Sequence, residues 1–155
     1  MTDERCIYIS LDSGVSWRRA NAPSNSWQSV TSSADGTKLA AAAGPPRGWW
    51  IGGPGLIYTS TDAGATWTVS SAPSNNWVCL KSSADGSKLI AAATLGSCPS
   101  LDGSIYVSTN SGATWVKTKA PSNMWTCVSV RRWQHDVGSN PRGSVLRRRG
   151  LRRGG

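Results

Sequence analysis

Apolar and polar positions alternate with a period of two over short runs, and the runs recur along the chain. Residues 27–33 alternate, Ala34-Asp35-Gly36 interrupts them, and residues 37–43 resume as an apolar stretch. That is the pattern of a β-hairpin closed by a glycine-containing turn. A Gly/Pro-rich loop follows, after which residues 56–60 read as a third strand and residues 66–70 as a fourth, joined by a second Gly-containing turn. Signals for helices are almost missing. Four short antiparallel strands in about 50 residues make one blade of a propeller.

The unit repeats. Ser10-Leu-Asp-Ser-Gly-Val-Ser-Trp17 returns as Ser60-Thr-Asp-Ala-Gly-Ala-Thr-Trp67 and again as Ser108-Thr-Asn-Ser-Gly-Ala-Thr-Trp115. Trp67 follows Trp17 by 50 residues, and Trp115 follows Trp67 by 48. A second marker keeps step, APSNSW ending at Trp27, APSNNW at Trp77 and APSNMW at Trp125, and a third, SSADG[TS]KL, starts at Ser32 and Ser82. Repeats in register define the architecture before any single motif does.

The spacing S-x-D-x-G-x-T-W resembles the Asp-box, or bacterial neuraminidase repeat. Its residues here are Ser10, Asp12, Gly14 and Trp17 in the first copy, Ser60, Asp62, Gly64, Thr66 and Trp67 in the second, and Ser108, Asn110, Gly112, Thr114 and Trp115 in the third. The roles follow from their chemistry. The Asp carboxylate accepts hydrogen bonds from the backbone of its own turn, Gly64 can adopt positive φ, and Trp67 packs against the blade. Asn110 can close such a turn without the charge. The resemblance implies an all-β fold, a partial β-propeller of four-stranded antiparallel blades. Residues 1–130 form the propeller fragment, with blade parts at 6–20, 27–70, 77–118 and 125–130. The chain therefore opens on the third strand of one blade, holds two complete blades and reaches the first strand of another. Propellers with this repeat include sialidases, xyloglucan-degrading glycosidases, sortilin-type receptors and photosystem assembly factors, and fold does not choose among them.

Charge alters the picture only at one end. The net charge is +9, but residues 131–155 hold eight of the 17 basic residues and a single acid, Asp136, so the rest of the chain is nearly neutral. Where the repeat should continue as SSADG, the chain reads VRRWQHD from Val130. A one-base shift of the codons can read S-A-D-G-S there, with two of the five positions forced by the genetic code. Residues 131–155 are therefore expected to be an Arg-rich tail that is out of frame and disordered. The competing reading is a basic arm that binds phosphates, with salt-dependent affinity. It is the weaker one, because the Arg runs lack interleaved aromatics, and nucleic acid is not expected as a partner.

Chemistry is sparse. A sialidase needs an arginine cluster, a Tyr–Glu pair and an Asp. Outside the tail there are only Arg5, Arg18, Arg19 and Arg47, and the only glutamate is Glu4. Tyr8, Tyr58 and Tyr106 recur as repeat positions and read as packing residues. Asp12 and Asp62 belong to the box turns and Asp35 and Asp85 to the A-D-G turns, while Asp102 lies in the loop of the third blade. No catalytic residue, metal or cofactor is therefore expected. Cys6, Cys79, Cys98 and Cys127 form no CxxC pair. Cys79 and Cys127 share a repeat position and read as buried small hydrophobes rather than a disulfide, since equivalent positions need not lie within bridging distance.

A propeller places the A-D-G and box turns at one end, and the APSN links with the second-to-third-strand loops at the other. The repeats differ at the second end. Arg47, Trp49, Trp50 and Asn76 are the candidate ligand-binding residues there, two adjacent indoles being able to stack on a sugar or peptide. The leading expectation is a non-catalytic scaffold that binds a glycan or a protein alongside further blades. The alternative is a fragment of a sialidase-like glycoside hydrolase whose catalytic residues lie on other blades. There is no apolar run long enough for a membrane span and no leader pattern at the start, so membrane insertion is not expected, while secretion of a longer parent chain stays open.

Overall fold

The computed structural model describes residues 5–44, 55–94 and 103–130, and the backbone of residues 144–148. Twelve strands are assigned among them, without helix: β1 (Tyr8–Ile9), β2 (Arg18–Arg19), β3 (Trp27–Ser32), β4 (Leu39–Ala43), β5 (Ile57–Ser60), β6 (Thr68–Val69), β7 (Trp77–Ser82), β8 (Leu89–Ala93), β9 (Ser104–Ser108), β10 (Val116–Lys117), β11 (Trp125–Val130) and β12 (Ser144–Arg148). They form two complete four-stranded antiparallel meanders, β3-β4-β5-β6 and β7-β8-β9-β10, flanked by the pairs β1-β2 and β11-β12. These are the blades of a partial β-propeller, in the order the repeats predict. Among the described residues no helix is long and apolar enough to cross a membrane.

The second strand of each blade carries the core. β4 reads LAAAA and β8 reads LIAAA, with no alternation, because both faces of the strand are covered. Ala40 and Ala42 pack with Ile57, Trp77, Leu80, Leu89, Ala91 and Ala93 between the two complete blades. Ala41 points the other way, joining Ile7, Ala20 and Ala22 against the first partial blade. Likewise Ile90 and Ala92 leave the first cluster for a third one, with Cys79, Ile105, Trp125 and Val128. Alanine at these positions lets neighbouring blades approach closely, and each sheet is thereby held on both sides.

A bulge in every first strand divides its side chains between the two interfaces. Trp77 pairs with Ala93 and Cys79 with Ala92, so Val78 is the extra residue; Gln28 is its counterpart between Trp27 and Ser29. Without the bulge, residues two apart would share a face. With it, Trp77 enters the interface with the preceding blade and Cys79 the interface with the following one.

Ser144–Arg148 pairs antiparallel with β11, in the position that a second strand occupies in the complete blades. An unpaired strand edge is a template for any strand-competent segment, and Ser-Val-Leu is one.

Candidate functional site

At one end of the blades, side-chain oxygens organise the turns. Asp62, Ala63, Gly64 and Ala65 form a tight turn in which Ala65 N–H donates to the Asp62 carbonyl at 3.2 Å. Both central residues have positive φ, 54° at Ala63 and 81° at Gly64, the type I′ pattern that suits the twist of flanking strands. Ser13 and Ser111 repeat the unusual conformation of Ala63. It costs a non-glycine residue about 1–2 kcal/mol, and the side chains around it hold it in place. Ser60 Oγ accepts from Gly64 N–H at 2.9 Å and donates to Asp62 Oδ1 at 2.7 Å. Asp62 in turn accepts Thr66 N–H at 2.9 Å and the Thr66 hydroxyl. Trp67 Nε1 closes the motif on the Gly64 carbonyl at 3.2 Å.

The first copy repeats this with Ser10, Asp12, Gly14, Ser16 and Trp17. In the third, Asn110 Oδ1 accepts Thr114 N–H at 2.8 Å while its Nδ2 donates to Thr114 Oγ1, so an amide closes the same ring. The A-D-G turns use a parallel device that sequence reading treats only as a hairpin. Ser33 Oγ donates to Asp35 and accepts Lys38 N–H at 3.0 Å, and Asp35 accepts from Thr37 N–H and the Thr37 hydroxyl. Ser83, Asp85, Ser87 and Lys88 do the same one blade later. The signal was present in SSADG[TS]K, whose serine and threonine flank the acid.

These bonds set the state of the acids. The Ser16 hydroxyl above all brings Asp12 down to about 2, and the Thr66 hydroxyl does so for Asp62. Asp35 and Asp85 are lowered too, chiefly by the hydroxyls of Ser33 and Ser83. Carboxylates held this far below neutrality are poor proton donors. The folded state keeps them ionised at a pH where the unfolded chain takes up protons, so their contribution to stability is present above about pH 4 and is lost as pH falls towards 2. Thermal melting between pH 5 and pH 2 is expected to show a falling midpoint, and the fall should be shallower in Asp12→Asn/Asp62→Asn, which copies Asn110. A flat midpoint in the unaltered protein would contradict this account.

The opposite end holds the described groove. Asn75, Ala93, Thr94, Ser104, Tyr106, Lys117 and Ser122 line an open cavity of about 370 Å³. Each APSN link supplies its own turn: Asn75 Oδ1 accepts Asn76 N–H at 2.9 Å, and the Asn75 carbonyl accepts Trp77 N–H at 3.0 Å. The Asn76 carbonyl accepts Thr94 N–H at 2.9 Å, so Asn76 fastens the link to β8 while Asn75 is the one that lines the groove. Arg47, Trp49 and Trp50 lie outside the described residues. Tyr106 serves both packing and groove, its ring lying edge-on to Trp77 at 5.3 Å. Its repeat position predicts packing alone, since nothing in the repeat distinguishes Tyr106 from Tyr58. Among the described residues no carboxylate lines this groove, and no group of three or more His, Cys, Asp or Glu side chains could hold a metal.

The expectation for the cysteines needs correction. Cys79 is buried, but Cys127 is exposed, and their sulfurs lie 3.6 Å apart. The blades pack so closely at their first strands that equivalent repeat positions do meet.

No family model matches the chain, and no curated protein does. Among solved structures, it is similar to the crystal structure of the GH74 xyloglucanase from Xanthomonas campestris, with a TM-score of 0.61 and 17% identity over 83% of this chain and 21% of that one. The crystal structure of the Niastella koreensis GH74 enzyme gives a TM-score of 0.47 at 21% identity, covering 68% and 17% of the two chains. The chain thus spans about a fifth of the length of these neighbours. The first likeness supports the propeller fold.

Proposed function

We propose that this chain is a non-catalytic Asp-box repeat scaffold that binds a glycan or a protein at the link end of its blades. The observation that carries the reading is a separation. The described aspartates are spent on turns at one end, while the groove at the other is lined by an amide, hydroxyls, a lysine and a tyrosine. Such a surface can hydrogen-bond a polyol or a polypeptide, and its described residues include no general acid to cleave one.

A second reading draws on the likeness to the xyloglucanase, a glycoside hydrolase by its name: the blades would be a fragment of a larger glycoside hydrolase whose catalytic residues lie on blades outside this chain. One experiment separates the two. A longer parent chain that carries these blades is incubated with xyloglucan and, separately, with a fluorogenic sialoside, and released reducing ends or fluorophore are measured beside retention of the present chain on immobilised xyloglucan. The scaffold reading expects no turnover of either substrate by the parent, and retention that weakens in Lys117→Ala. Sustained release of product by the parent would overturn it.

A further inference from the structure

The repeat position two residues after the link tryptophan joins each blade to the next. In the first complete blade it is Ser29, whose Oγ accepts Leu80 N–H at 3.0 Å and donates to the Leu80 carbonyl at 3.3 Å, across the blade interface. In the second it is Cys79. Its sulfur occupies the corresponding place, accepting Val128 N–H at 3.4 Å and lying 3.9 Å from the Val128 carbonyl. A thiol is a weak donor and acceptor, so it makes a poorer version of the serine link. What it gains is a neighbour: Cys127, on the bulged segment of β11, brings its own sulfur to 3.6 Å.

We propose that Cys79 and Cys127 form an oxidative modification site, a disulfide that joins β7 of one blade to β11 of the next. A disulfide needs sulfurs about 2.05 Å apart, and rotation of the exposed Cys127 side chain between staggered positions can supply the remaining approach. The oxidant is a low-molecular-weight disulfide of the glutathione type. The Cys127 thiolate attacks one of its sulfurs, forming a mixed disulfide and expelling one glutathione thiolate. Cys79 then gives its proton to solvent and attacks the Cys127 sulfur, which forms the protein disulfide and expels the second thiolate. Two protein thiols are oxidised and one small disulfide is reduced to two thiols. Burial raises Cys79 above the ordinary thiol value, which suits it to the second step rather than the first.

The test uses the full chain, reduced and then equilibrated with glutathione disulfide. Expected are an intact mass lower by two hydrogens, a proteolytic fragment linking Cys79 to Cys127, and a melting midpoint raised by roughly 5 °C or more, since the bond closes a long loop between separate blades. Cys79→Ser copies Ser29 and keeps the interface hydrogen bonds. It is expected to melt like the reduced protein and to stop at a glutathione adduct on Cys127. A stable adduct on Cys127 in the unaltered chain, a link made instead to Cys6 or Cys98, or a midpoint that oxidation leaves in place would each overturn the proposal.

Discussion

Trp77→Ala is expected to lower stability by about 3–5 kcal/mol, the range for deleting a large buried aromatic side chain. Trp77 is 0% exposed. Tyr106 meets it edge-on at 5.3 Å, Trp115 lies tilted at 6.4 Å, and Leu80, Leu89, Ala91 and Ala93 of its own blade share the cluster with Ala40, Ala42 and Ile57 of the preceding one. Alanine neighbours cannot collapse into the space an indole leaves, so much of the cavity should persist. Trp27 makes the same ring contacts with Tyr58 and Trp67 but is only half-buried, and its Nε1 donates to the Arg5 carbonyl at 3.1 Å. Trp27→Ala is therefore expected to cost less. Trp77 Nε1 is buried without a partner among the described residues. Trp77→Phe removes that unsatisfied donor while keeping most of the ring, and should recover much of the loss. Urea unfolding of the three variants checks the order. Equal midpoints for Trp77→Ala and Trp27→Ala would show that the interface between complete blades does not hold the fold together.

The blades were legible because every strand break carries its own punctuation. Ala34-Asp35-Gly36 and Asp62-Ala63-Gly64 mark turns by residue type alone, and the repeat confirms each mark one blade later. Three features were not legible, for one common reason: they depend on which blade a side chain faces. The bulge at Val78 leaves no residue signature, yet it sends Trp77 and Cys79 to opposite interfaces. The contact between the two sulfurs follows from that reversal together with the close packing of first strands. The groove gathers Asn75, Thr94, Tyr106, Lys117 and Ser122 from five separate strands and links, none of which is unusual in its own repeat. Loop composition drew attention instead to Arg47, Trp49 and Trp50, where indoles are conspicuous. Local chemistry thus announces turns, whereas the arrangement of blades decides what the turns and links bring together.

Gly55→Ala is expected to be nearly as damaging as loss of the tryptophan, although it adds a single methyl group. The return of the chain into β5 passes directly over the end of β4. A Cβ on Gly55 would stand 1.8 Å from the Ala43 carbonyl oxygen and 2.3 Å from its carbon, and backbone cannot rotate aside as a side chain can. The strands would have to separate there. That would break the Gly55 N–H bond to the Asn75 carbonyl at 2.8 Å and the reciprocal bond at 3.0 Å. Those two bonds tie the link between blades to the loop beside it, so Asn75 would lose its place in the groove. A cost of about 3 kcal/mol is expected, at the upper end for an overpacked site. Gly36→Ala is the informative comparison. Gly36 has nothing within 4 Å of where its Cβ would lie, but its φ is +71°, so alanine there suffers only the conformational penalty of about 1 kcal/mol. Unfolding midpoints that place Gly55→Ala at or above Gly36→Ala would mean that the loop can lift from β4 at little cost, and that the groove is not held by the backbone beneath it.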